Sequence, residues 1–119
     1  MGVYENELWI NSVRQYTDAT DAVAMGCRPI DVHPDPNNTY TNQNLAGVGY
    51  TPKPYQIPYG CLVPKSVDGL LTTGRCISAT REGMGSSRVM ATCMALGEAA
   101  GTAAAMAARQ NLEPRHVRQ

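Results

Sequence analysis

Neither sign of charge prevails in this chain: ten basic and ten acidic residues cancel over 119 positions, and no run of one sign occurs. That balance removes the electrostatic footprint by which a domain engages nucleic acid or an anionic membrane surface. Paired metal ligands are lacking too. Cys27, Cys61, Cys76 and Cys93 stand far apart with no C-x-x-C pair, and His33 and His116 are the two histidines. A zinc site needs ligands on tight knuckles, so no metal is expected, and the thiols read as reduced, buried and apolar in behaviour. No Ser/His/Asp or Cys/His set is present in a recognisable pattern, which leaves hydrolase chemistry unsupported. Residues Met1 to Glu7 hold no basic stretch leading into an apolar core, and Asn6 stands where a myristoylation signal wants Ser or Thr. The expected location is cytoplasmic. The run from Val89 to Ala108 is rich in Ala, which contributes little transfer free energy, and Glu98 interrupts it. A buried helix is expected there, not a membrane span.

What is present is one domain's worth of chain, enough for a single modest core. From Glu5 to Ala24 the apolar residues Leu8, Trp9, Ile10, Val13 and Tyr16, then Ala19, Ala22 and Val23, recur at helical spacing. They predict two short helices, the second capped by Thr17 or Asp18 and ended at Gly26, ahead of Pro29. Ile30-Asp31-Val32-His33 alternates as a strand does and is cut off by Pro34-Asp35-Pro36. Thr39 to Tyr50 is polar and loop-like. Tyr55 to Val63 reads as extended, with Pro58 and Pro64 keeping it from a central strand position. Val67-Asp68-Gly69 predicts a tight turn, and Leu70 to Thr73 a short strand.

That strand leads through Gly74-Arg75 and a Gly/Ser turn into a long helix that begins near Arg88, capped by Ser86 or Ser87. Asn111 suits the residue that ends it, before Pro114, and a frayed tail is expected from Glu113. Within the helix Gly97 and Gly101, with Cys93, Ala104, Ala105 and Ala108, make a nearly smooth face. Two interior glycines cost about 1 kcal/mol each relative to Ala, and close approach of another backbone is the expected compensation. Strand, tight turn and helix N-terminus together form an arrangement that receives an anionic or oxygen-rich group on free backbone amides. Separately, Asp31 and His33 stand two apart on the expected strand, so both face one side. They are candidates for an acid/base couple beside a substrate, or His33 makes a structural hydrogen bond before the Pro turn.

The wording of three blocks is distinctive: Ile57-Pro58-Tyr59-Gly60-Cys61-Leu62-Val63-Pro64-Lys65, Gly74-Arg75-Cys76-Ile77-Ser78, and Arg88-Val89-Met90-Ala91-Thr92-Cys93 onward to Ala104. In that order and spacing they resemble the C-terminal end of the FAD-dependent oxidoreductase family. The resemblance implies an α/β (α+β) fold: the C-terminal strand, turn and long helix of a Rossmann-like FAD-binding domain over residues 57–119, and a remnant of a substrate or cap domain over 1–56. FAD is the implied cofactor. Amides from Ser87, Arg88, Val89 and Met90 would reach the flavin, with Arg88 adding a fixed cation, unless Ser-Ser-Arg is only a helix cap. Gly74 and Arg75 stand where related flavoenzymes carry Gly-Asp. Arg75 cannot accept a hydrogen bond, so it would contact phosphate or close a salt bridge, with the Ser78 hydroxyl nearby.

Family members open with a G-x-G-x-x-G turn for the pyrophosphate. The nearest match, Gly83-Met84-Gly85-Ser86-Ser87-Arg88, has Arg at the third glycine and no acidic residue about 20 positions on. The expectation is therefore a flavin-contacting portion that works with a complementary nucleotide-binding half, supplied by another chain or lying outside this sequence; the chain partner is such a flavoprotein chain or a homo-oligomer, and no nucleic acid, membrane or metal partner is expected. Two alternatives stay open: a truncated remnant without cofactor, and a small module that self-associates through Gly97 and Gly101.

Overall fold

The computed structural model describes residues 6–8, 19–32, 37 and 53–117. Among them are a two-stranded antiparallel sheet, β1 (Ala22–Gly26) and β2 (Tyr55–Pro58), and two helices, α1 (Arg81–Ser87) and α2 (Met90–Gln110). Single 3-10 turns occupy Tyr59–Leu62, Gly74–Cys76 and Pro114–His116. The class is mixed α/β.

β1 stands where a helix was expected up to Ala24. Ala22 pairs with Pro58, Ala24 with Ile57, Met25 with Gln56 and Gly26 with Tyr55, and a bulge falls between Ala22 and Ala24. Two successive residues, Val23 and Ala24, thereby pack against the core. The bulge breaks the strand period of two, so the apolar spacing imitates a helix. Gly26 closes this strand because a Cβ there would strike the Tyr55 phenol. Ile30, Asp31 and Val32 form no strand; the Asp31 N–H is taken by the Gly85 carbonyl of α1 at 3.2 Å. The proposed cap at Thr17 or Asp18, the loop 39–50 and His33 lie outside the described residues.

Of the stretch Tyr55 to Val63 expected to be extended, only Tyr55–Pro58 forms a strand, which Pro58 ends where its missing N–H breaks no ladder; Tyr59–Leu62 instead winds into a 3-10 turn. Gly69 takes φ +70° in the predicted turn. Leu70 to Thr73 is not a strand: among the described residues Thr72 N–H bonds Leu62 C=O at 2.9 Å, and the Thr73 carbonyl turns to the Cys76 N–H at 3.1 Å, which leaves a single bond to a distant stretch of backbone. A lone bond cannot propagate a ladder.

The helical region is divided. Thr80 caps α1, its Oγ1 accepting the Gly83 N–H at 3.1 Å, and Glu82 lies in the first turn. Ser86 and Ser87 therefore end α1, buried, and cap nothing. Val89 is extended (ψ 152°), and α2 leaves at 95° to α1. Its end is as expected: Asn111 has φ 52°, Leu112 N–H reaches Ala107 C=O at 2.9 Å and Asn111 N–H reaches Ala108 C=O at 3.4 Å. Those are the paired bonds of a Schellman motif.

Thr92, Leu96, Ala100, Ala103 and Ala107 form the buried stripe of α2. Leu96 and Ala100 join Leu8, Tyr55, Ile57, Leu62 and Ile77, and Ala103 and Ala107 join Tyr59, Val63 and Val117. The smooth face is not the packed one. Nothing lies within 4 Å of a Cβ built at Gly97 or Gly101, which share their stripe with the exposed Met90 and Met94. Over its described residues, 113–117, the tail is docked, not frayed: Tyr59 O–H donates to Pro114 C=O at 2.9 Å, Gly69 N–H to the Glu113 carboxylate at 2.7 Å, and Val117 is buried. No disulfide joins the four cysteines, and only Cys61 is buried; Cys93 is half-buried and Cys27 and Cys76 are exposed. No single helix among the described residues is long and apolar enough to cross a membrane.

Candidate functional site

Three stretches distant in sequence converge on the N-terminus of α2. Its first bond runs from Cys93 N–H to Val89 C=O at 3.0 Å, so the amides of Met90, Ala91 and Thr92 precede the helical ladder. No side chain caps them. Beside them lies an open pocket of about 720 Å³, lined among the described residues by Arg28, Asp31, Arg75, Arg88, Val89, Met90 and Ala91.

Local structure explains each arrival. Gly74 adopts φ +62°, a left-handed turn that sends Arg75 back to the corner between the helices, where its Nε donates to Arg88 C=O at 3.2 Å. The Arg88 guanidinium donates to Asp31 C=O at 2.9 Å and pairs with the Asp31 carboxylate at 3.2 Å. This pair is exposed, 44% and 80%, so it adds no more than about 1 kcal/mol to stability. Arg28 enters from the end of β1. Three guanidinium side chains against one carboxylate, plus a helix N-terminus worth about half a positive charge, suit an anionic or oxygen-rich group.

Of the residues singled out from sequence, the pocket unites Asp31, Arg75, Arg88, Val89 and Met90. Gly74, Ser78 and Ser87 do not line it. Gly74 shapes the turn, while Ser78 serves the fold through its backbone, donating to Cys61 C=O and accepting from Leu8 N–H, each at 2.9 Å. Ser87 is buried, and its Oγ has no partner among the described residues. Asp31 is engaged with Arg88, and its proposed companion His33 lies outside the described residues. Arg28 and Ala91 escaped the sequence reading. Ala91 follows once the helix start is placed at Met90; Arg28, in Cys27-Arg28-Pro29, carries no periodic or motif signal at all. No group of three or more His, Cys, Asp or Glu among the described residues is placed to hold a metal ion. A second, more apolar groove of about 620 Å³ beside Glu98, Thr102 and Met106 contains none of the predicted site residues.

The sequence model of the FAD dependent oxidoreductase family matches residues 5–119. The chain belongs to that family, and FAD is the cofactor the family implies. Neither a curated protein nor a solved structure matches it.

Proposed function

We propose that this chain supplies the flavin-contacting portion of an FAD-dependent oxidoreductase. The observation that carries the reading is the convergence of Arg28, Arg75 and Arg88 on one pocket with Met90 and Ala91, the first residues of α2, whose N-terminus no side chain caps. These groups would hold the electron-rich edge of the flavin, whose ring, when bound, accepts a hydride or electrons from substrate. The helix dipole and the fixed guanidinium groups of Arg28, Arg75 and Arg88 would favour negative charge on a group held there. In this reading α2 is the C-terminal helix of a Rossmann-like domain built on residues 57–119, and residues 1–56 belong to a substrate or cap domain. A complementary G-x-G-x-x-G segment holds the pyrophosphate, and the assembled enzyme works in the cytoplasm.

The test is a titration of the isotope-labelled full chain with FAD, followed by amide NMR. Weak binding is expected, with shifts concentrated at Met90, Ala91 and Thr92 and reduced by Arg88→Ala. Shifts confined to the groove beside Glu98 and Met106, or none at millimolar FAD, would reject this assignment.

A further inference from the structure

Arg28 and Asp31, which line the cationic pocket, are the ends of a segment that belongs to neither a strand nor a helix. It is held to α1 at two points. Near one end the Ser86 hydroxyl donates to the Arg28 carbonyl; near the other the Asp31 N–H donates to the Gly85 carbonyl at 3.2 Å. Gly85 allows the approach, because a Cβ there would lie 3.1 Å from the Asp31 carbonyl oxygen and against the Val32 side chain. Behind Ser86 stands Tyr55 of β2, its hydroxyl 2.8 Å from Ser86 Oγ, with both residues fully buried.

The direction of this chain is fixed by chemistry. A carbonyl only accepts, so the single Ser86 proton goes to Arg28, and Tyr55 must then donate to Ser86. Each hydroxyl is thereby oriented, and the Arg28 carbonyl is tied through Ser86 to the sheet. We infer that Ser86 is a positioning residue for the pocket: oriented by Tyr55, it sets where Arg28 and Asp31 stand relative to the N-terminus of α2. The inference rests on the proposed function only for the ligand the pocket serves. Its geometric content, that Ser86 places the Arg28–Asp31 segment, is independent of it.

The experiment uses the isotope-labelled full chain, with amide hydrogen exchange measured without ligand and FAD titration as the second arm. Ser86→Ala is expected to speed exchange of the Asp31 amide about ten-fold while α2 keeps its protection, and to weaken FAD binding about ten-fold, equivalent to about 1.4 kcal/mol. The double variant Tyr55→Phe/Ser86→Ala removes the stranded phenol hydroxyl and is expected to recover stability but neither Asp31 protection nor FAD affinity. It also carries the comparison should Ser86→Ala fail to fold. Unchanged Asp31 exchange in the variants, or a double variant that regains both readouts with its stability, overturns the positioning role. A parent chain whose Met90 to Thr92 amides ignore FAD overturns the proposed function and with it the purpose assigned to Ser86, while the exchange arm still decides the geometry.

Discussion

Ser86 and Ser87 are neighbours, equally buried, and opposite in situation: the first makes two hydrogen bonds, and the Oγ of the second has no partner among the described residues. Removing a buried hydroxyl that has no partner sacrifices no bond. Ser87→Ala is therefore expected to leave stability unchanged or raise it by up to about 1 kcal/mol in urea denaturation; a clear loss would mean the hydroxyl is engaged. Cys61 offers a test in pH. Burial, helped by the Asp21 and Glu7 carboxylates, pushes its thiol up from 9.0 to about 12. Above pH 9.0 the unfolded chain releases this proton while the folded chain keeps it, so the folded state loses stability as pH rises, until the folded thiol also ionises near pH 12. The slope approaches about 1.4 kcal/mol per pH unit. Tyr55 and Tyr59, raised by burial, add to the loss above pH 10.0. Denaturant midpoints followed from neutral into alkaline solution should fall steeply in the parent and less steeply in Cys61→Ala.

Among the elements, α2 shows most plainly how a helix with a poor interior is held. Its five buried residues recur at spacings of three and four, and a Schellman motif closes its end, while Gly97 and Gly101 weaken it from the open side. With no neighbour within 4 Å of the missing Cβ, Gly101→Ala meets no obstacle. It should stabilise the chain by about 1 kcal/mol, the difference in helix propensity. Thermal melting checks this, and a lowered midpoint would show that the glycine face is covered in solution. The short helix α1 was hidden in the sequence because Gly83 and Gly85 are poor helix formers. Both glycines answer to tertiary contacts: a Cβ at Gly83 would collide with the Leu8 carbonyl, and one at Gly85 with Val32.

For the molecule as a whole, the C-terminal turn acts as a clasp. Arg115 donates to the carbonyls of Pro64 at 3.0 Å, Lys65 at 3.2 Å and Val67 at 3.4 Å, and pairs with Asp68 at 2.9 Å. One planar guanidinium thus organises the whole loop that leads to the Gly69 turn. Arg115→Ala should destabilise the chain by about 1–3 kcal/mol and speed tryptic cleavage after the exposed Lys65. Arg115→Lys should rescue little, because an ammonium cannot span these acceptors. Equal cleavage rates in parent and variant would show that the loop is held by other means.

What the sequence determined by itself was whatever rests on local backbone chemistry or on wording: the turns at Gly69 and Gly74, the stop at Asn111, the extended Tyr55–Pro58, and the family. That Arg75, Arg88, Val89 and Met90 stand together at one pocket was legible because the motif that names them runs through a single stretch of chain. Tertiary structure alone decided the rest. Val23 and Ala24 form a strand because β2 offers them partners and a bulge turns both inward, a preference no window on residues 19–26 contains. Arg28 stands at the pocket on a backbone segment that Ser86 and Gly85 of α1 bond, across 58 positions of sequence in the case of the Ser86 bond. Helical and strand periods report which face of an element is apolar; they carry no information on which distant carbonyl a buried hydroxyl will find.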